Sequence, residues 1–440
     1  AATATSAVTA TSAATATSAA TATSAATPTS AATATNEPSP TGVLAPTIVI
    51  EPTPAPTQVP PEPTPTSEPV AVEPTPAQGG PPAIDPTLAA RLQRILDQTV
   101  ADGFIPGAVV AVSLPGNQVW VGAAGVADRR QRIALTPNTH MRIASISKTF
   151  TAVVILQLAE EGRLNLDAPL STWFPNLVPN ASAMSVRNLL NHTTGLYDYL
   201  EDKNFQALAY GNPSRSWQPY QLVDYANQFA PAFPPNSPGN WDYSSTNYVI
   251  LGMIAEEVTG TPLAQEMRQR IFEPLGLDQT FFAPNEQVPE PYSHGYARAG
   301  EQTNVSMTVV FATANIVSTE ENVARFGRAL FEGQLLRPET MEQMYGFVHG
   351  QGQYNMPKLA YGLGVMRNQL FVGPAPDGQQ RSAAASTVMG HIGGFGGFRS
   401  ALWYAPESGV SIALGVNMFS TDPNILATKV MDAVLTHQGR

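Results

Sequence analysis

No aromatic residue precedes Phe104 and no basic residue precedes Arg91, so the first fifth of this 440-residue chain lacks the groups from which cores and ion pairs are built. Residues 1–36 are near-copies of one hexapeptide: AATATS, AVTATS, AATATS, AATATS, AATPTS and AATATN. Prolines then recur at short intervals through "EPTPAPTQVPPEPTPTSEPVAVEPTPAQGGPP". Fixing the backbone of one residue costs roughly 1–2 kcal/mol, and Ala, Thr, Ser and Pro alone bury too little apolar surface to offset it. A hexapeptide period can mark a β-helix, but those coils need bulky inward residues where this repeat has Ala. Residues 1–84 are therefore expected to be a low-complexity Ala/Thr/Ser and Pro/Thr stalk, and residues 85–440 a folded domain.

Glu37, Glu51, Glu62, Glu68 and Glu73 in the stalk carry nearly half of the formal charge of −11. Lys and Arg form no cluster, which argues against nucleic acid or an anionic membrane as partner. The absence of cysteine removes disulfides, thiolate zinc sites and a Cys nucleophile. The six histidines form no H-E-x-x-H or carboxylate cluster, so no metal site is expected. No apolar run is long enough to span a bilayer. A chain that starts at Ala1 and carries a spacer of this kind is expected to be exported, hence extracellular or cell-envelope associated.

In the folded part, "DPTLAARLQRILDQTVADG" has Asp85 as N-cap, Pro86 at the first helical position and a stop near Gly103. "GAVVAVSLPGNQVWVGAAGVAD" reads as a hairpin turning at Pro115-Gly116-Asn117. "FRSALWYAPESGVSIALGVNM" repeats the pattern around Pro406-Glu407-Ser408-Gly409, and a closing helix starts at Asp422-Pro423. Strands at both ends around a helix-rich middle predict an antiparallel sheet assembled from distant parts of the chain and flanked by helices. A helical region from about 165 to 315 is inserted into it, and the cleft between the two lobes is the expected substrate site.

The stretch "ASISKTF", residues 144–150, opens the apolar run "TAVVILQLAEEG" and contains one of only four lysines. On a helix Ser145 and Lys148 share a face, whereas Ser147 and Lys148 do not. A serine in the first helical turn can place a developing oxyanion against its own N–H. For Lys148 to take the serine proton at pH 7 its pKa must fall from about 10.4, a cost of roughly 4–5 kcal/mol that burial has to supply.

Three further segments follow "MRIASISKTFTAVVILQLAEEGRLNLDAPL" in order: "VRNLLNHTTGLYDY", "PGNWDYSSTNYVILGMIAEEVTG" and "GHIGGFGGFRSALWYAP". Together they resemble the serine β-lactamase and penicillin-binding-protein superfamily, in the branch of class C β-lactamases, D-alanyl-D-alanine carboxypeptidases and related esterases. The resemblance implies an α/β fold of the β-lactamase/transpeptidase-like type. It makes Ser145 the nucleophile, Lys148 the motif lysine and Tyr243 the tyrosine of a Y-x-N motif that here reads Tyr243-Ser244-Ser245. Lys148 and Tyr243 both stand as candidates for the acylation base. Ser245 departs from the usual Asn. His391-Ile392-Gly393 matches the third motif, just before a predicted strand, with His391, Gly393 and Ser245 on the substrate side. The N–H groups of Ser145 and Gly394 form the implied oxyanion hole. Relatives that bind a terminal carboxylate often carry a hydroxyl where this chain has Gly394.

The expected chemistry is therefore serine hydrolysis through an acyl-enzyme, without cofactor or metal. Its substrate is a small molecule or peptide with an ester, amide or β-lactam carbonyl, cell-wall peptide among them. D-alanyl-D-alanine carboxypeptidase or β-lactamase-like peptidase comes first. A carboxylesterase of the same fold and a non-catalytic penicillin-binding or wall-anchoring module are the alternatives. His192 is expected to pack rather than react, and Trp241, Tyr248, Tyr197 and Tyr199 to belong to the core. There is no G-x-S-x-G elbow, and "GGFGG" at 393–397 precedes a strand instead of a helix, unlike a dinucleotide loop.

Overall fold

The computed structural model describes residues 83–440 apart from Phe104 and Gln351, so the expected stalk falls outside the described residues except for its last two. Those two belong to the folded body: Ala83 bridges Val119 and Ile84 is buried. The boundary expected after residue 84 therefore lies ahead of Ala83.

Asp85 caps the helix Pro86–Ala101 by accepting from the amides of Thr87 at 2.8 Å and Leu88 at 3.1 Å. Pro86 takes the first helical position, where no N–H is needed, and Leu88, Leu92 and Leu96 bury one face. The first hairpin pairs Gly107–Leu114 with Gln118–Asp128, and its turn needs the left-handed φ of 78° that Gly116 supplies. The second pairs Phe398–Ala405 with Val410–Val416, and Asp422 caps the closing helix Pro423–His437.

Gly107–Leu114 lies antiparallel to Val410–Val416, with Ala111 opposite Ala413, so the two ends of the domain share one sheet. That sheet has nine strands in the order Ile133–Ala134, Gln118–Asp128, Gly107–Leu114, Val410–Val416, Phe398–Ala405, Thr387–Phe395, Met366–Gln369, Ala360–Tyr361 and Val348–His349. The side-chain period of two divides each central strand between two cores. Ala108, Val110 and Val112 face the helices Pro86–Ala101 and Pro423–His437. Ala111 on the other face joins the core of Ser147–Glu160, Glu320–Phe331 and the inserted helices.

The insertion expected over 165–315 carries the helices Val186–Asn191, Lys203–Gly211, Pro219–Ala226, Ser245–Thr259 and Leu263–Met267. It also takes part in a small sheet absent from the sequence-based expectation, in which Ile316–Ser318 runs between Met141–Arg142 and Thr280–Phe282. Strands of two or three residues are too short to show a period.

Candidate active site

Ser145 lies in the 3₁₀ turn Ala144–Ile146, immediately ahead of the α-helix Ser147–Glu160, and not in the first α-helical turn as expected. The turn is strained, because Ala144 has φ 48° in a region that L side chains avoid. Packing from behind holds it there. Ser400 Oγ donates to the Ile143 carbonyl at 2.6 Å, and the strand Thr387–Phe395 presses its Gly393 against the turn. A Cβ on Gly393 would lie 2.6 Å from the Ile143 oxygen and 2.9 Å from Ala144 Cβ. The third-motif glycine is thus required by close approach to the Ser145 turn, and the motif sits inside the strand rather than ahead of it.

The helix that follows is buried nearly all round, so it ties off its hydroxyls internally. Ser147 Oγ accepts from the Ile316 amide at 3.1 Å, Thr149 Oγ1 donates to Gly364 at 2.8 Å, and Thr151 Oγ1 donates to Ala312 at 2.7 Å. Lys148 on this helix has no solvent exposure. Its Nζ is 3.3 Å from Ser145 Oγ, 3.4 Å from Ser245 Oγ and 3.3 Å from the Thr313 carbonyl oxygen. Burial pulls its pKa well below the ordinary lysine range, and the carboxylates of Asp198 and Glu201 oppose that shift.

Tyr243 and Ser245 arrive at the N-terminus of the helix Ser245–Thr259, clamped by the 191–199 loop. Trp241 Nε1 donates to the Asn191 carbonyl at 2.9 Å, and the Ser244 amide donates to His192 Nδ1 at 3.2 Å. Asn247 does not replace the missing motif Asn: it is buried, accepting from Thr194 Oγ1 at 2.7 Å and lying 3.1 Å from His192 Nδ1. His192 packs on Tyr243 with ring centroids 4.3 Å apart, and burial holds it neutral, far below the usual histidine range. Trp241, Tyr248 and Tyr199 are core residues.

The Tyr243 ring centroid lies 4.9 Å from Lys148 Nζ. Its hydroxyl is buried without a well-formed hydrogen bond among the described residues, although Ser145 is near enough to favour its ionisation slightly. Burial and the neighbouring Tyr354 outweigh this and hold the phenol far above its usual range. Desolvation acts on both candidate bases in one sense: it favours the neutral amine and disfavours the phenolate.

A cavity of about 400 Å³ opens over these groups, lined by Ser145, Tyr243, Ser245, Gly393 and Gly394 among others. His391 does not line it. The ring is buried, its Nε2 lies 2.9 Å from the Tyr361 hydroxyl, and burial takes its pKa down to about 3. It stands behind the wall, where a substrate-side role was expected.

Sequence reasoning missed three groups here. Asp198 is buried, and its Oδ2 accepts from Ser245 Oγ at 3.2 Å. Glu201 lines the cavity, as does Arg399, whose NH1 nitrogen would lie 2.7 Å from a Cβ on Gly394. Arg399 Nε donates to the Phe419 carbonyl at 2.8 Å, leaving the terminal nitrogens without a hydrogen bond among the described residues. The acidic run "YDYLED" was the one signal for Asp198 and Glu201; it reads equally as a solvated turn.

Residues 92–435 match the family described as Beta-lactamase. The chain is 26% identical to a β-lactamase of Pseudomonas fluorescens over 79% of this chain and 99% of that one. It is 31% identical to the esterase EstB of Burkholderia gladioli over 48% of this chain and 59% of that one. Among solved structures, a D-stereospecific amidohydrolase from Streptomyces sp. superposes with TM-score 0.67 at 33% identity, covering 78% of this chain and 98% of that one. With a matched region that takes in most of the chain and both lobes of the fold, this protein belongs to the beta-lactamase family.

Proposed function

We propose that this protein is a hydrolase in which Ser145 attacks an ester or amide carbonyl, with Lys148 as the base, and that its preferred substrate carries a carboxylate, as a C-terminal D-amino acid or a β-lactam does. The observation that carries the reading is the contact of Nζ of a fully buried lysine with Ser145 Oγ at 3.3 Å. Attack forms the C–O bond as the Ser145 O–H proton passes to Lys148; the bond to the leaving group then breaks as the Tyr243 phenol, which burial keeps protonated, gives that group its proton and recovers one from the Lys148 ammonium; water attacks the acyl-enzyme, losing a proton to Lys148, which returns it to Ser145 as the acyl–oxygen bond breaks. The N–H groups of Ser145 and Gly394 are assigned to the oxyanion, since both residues line the cavity.

The carboxylate preference rests on Arg399. Gly394 has no hydroxyl, but it leaves room for a guanidinium with unpaired terminal nitrogens at the cavity wall. Esterase activity is the second reading, favoured by Ser245 in place of an amide-holding Asn. As part of the proposal the chain works at the cell envelope, on the strength of the composition of residues 1–84; fractionation of cells carrying the tagged full chain tests that.

A fluorophosphonate probe should label the wild type and not Ser145→Ala. Turnover of a D-Ala-D-Ala peptide, nitrocefin and a short-chain aryl ester by the wild type and by Arg399→Ala separates the two substrate readings. The first expects KM for the peptide to rise about tenfold or more in Arg399→Ala with ester turnover little changed. Ester turnover alone in the wild type removes it, and absence of labelling favours a binding module.

A further inference from the structure

We propose that Asp198, acting through the Ser245 hydroxyl, is the positioning residue that turns the Lys148 lone pair toward Ser145 and holds the ammonium that forms there. This rests on the reading of Lys148 as the base.

The assignment follows from counting protons around one nitrogen. Lys148 Nζ has three polar neighbours: the Thr313 carbonyl, Ser245 Oγ and Ser145 Oγ. A neutral amine has two hydrogens and one lone pair. The Thr313 carbonyl can only accept, so one hydrogen goes there. Ser245 has a single hydroxyl proton, and it donates to Asp198 Oδ2 at 3.2 Å. The Ser245 oxygen must therefore accept from Lys148, which uses the second hydrogen. The lone pair is left for Ser145 alone, in the direction from which a base must take the proton.

Asp198 is itself held for this task. Its Oδ1 accepts from the Leu200 amide at 3.0 Å, as the cap of the short turn Tyr199–Glu201, so Oδ2 is free to face Ser245. Both carboxylate and hydroxyl are buried. The motif Asn that Ser245 replaces has a longer side chain and would fill the space between amine and carboxylate; the shorter hydroxyl lets the carboxylate act through one atom. When Ser145 gives up its proton, the Ser145 O–H bond breaks and an N–H bond forms on Lys148. The new ammonium then faces Asp198 through Ser245.

The charged and titratable groups around Lys148 are Asp198 and Glu201, His192, His391, Tyr243 and Tyr248. The two histidines are held neutral by burial, and the two phenols are held protonated. The carboxylates are the groups that raise the lysine pKa, Asp198 more than Glu201.

The experiment is the pH dependence of fluorophosphonate labelling and of ester kcat and KM for wild type, Asp198→Asn, Asp198→Glu and Ser245→Ala. Asp198→Asn should lower kcat about 10- to 100-fold with KM little changed, and its acid limb should move to lower pH, because the weaker base has lost its countercharge. Asp198→Glu should restore the limb in part, and Ser245→Ala should reproduce the loss in kcat without touching the carboxylate. If Asp198→Asn does not fold, Ser245→Ala decides. A wild type that labels while both variants keep its kcat and limb position overturns the positioning role and spares the base assignment. A wild type that never labels ends both.

Discussion

Among the buried carboxylates of the described residues, Asp198 and Glu320 have opposite surroundings. Asp198 has a capping amide on one oxygen and a hydroxyl on the other, with the Lys148 amine beyond it. Glu320 opens the helix Glu320–Phe331, on the same face of the sheet as Ser147–Glu160, and neither of its oxygens has a hydrogen-bond partner among the described residues. A Cβ on Gly415 would lie 2.4 Å from Glu320 Oε1 and 2.9 Å from the Met141 sulfur. Burial alone drives the Glu320 pKa up to about 8, whereas at Asp198 Lys148 and two amides oppose the same upward pull. Desolvation is common to both; what differs is a partner. With one, a buried charge becomes part of a proton-transfer machine; without one, the group keeps its proton and charges the stability of the fold when it is lost.

The comparison breaks most severely at Lys148. In Lys148→Met, Asp198 loses the amine beyond Ser245 and keeps only its capping amide and the Ser245 hydroxyl. Ester turnover is expected to fall about 10³-fold or more, and because burial already raises the Asp198 carboxyl to about 6 against the pull of Lys148, thermal unfolding followed against pH should show the fall in stability with rising pH reach to higher pH than in the wild type. A variant that keeps wild-type turnover refutes the base assignment.

Removing the other carboxylate sharpens the contrast. Glu320 has its folded pKa raised from 4.5 to about 8, so between those values the folded state holds a proton that the unfolded state has released. Stability therefore falls as pH rises through that window, by about 1.4 kcal/mol per pH unit, and is level above it. Glu320→Gln should lose this slope with catalysis unchanged. Denaturant midpoints at several pH values measure it, and parallel curves for wild type and variant would show that Glu320 ionises normally.

The smallest effect concerns His391. Because burial keeps it neutral down to about pH 3, His391→Gln should leave the acid limb of turnover where it is, with a modest fall in rate from the lost Tyr361 contact. A displaced limb would assign the titration to the imidazole instead of the lysine and carboxylate.

Features written in neighbouring residues were legible before folding. Asp85 and Pro86 announce a helix, Pro115-Gly116-Asn117 a hairpin, and the three-residue spacing of Ser145 and Lys148 their meeting. Asp198 was not legible, because Ser245 lies 47 residues away in sequence and an acid in a polar loop looks solvated. His391 was placed on the wrong side of the wall for a related reason. Glycines at 393 and 394 weaken local strand preference, and the demand for the first comes from the Ile143–Ala144 turn, which is distant in sequence, and for the second from Arg399 opposite it on the neighbouring strand.

The missing side chain at residue 393 has a further consequence. Since the sheet at Gly393 lies against the Ile143–Ala144 backbone, the Ser145 hydroxyl is located by the central sheet and not by the segments that shape the rest of the cavity. Substrate preference can then drift through Leu200, Gln206, Tyr354 or Phe419 while the reacting oxygen stays where it is. Enlarging residue 393 even by one methyl should do the reverse, moving the attack geometry for every substrate alike.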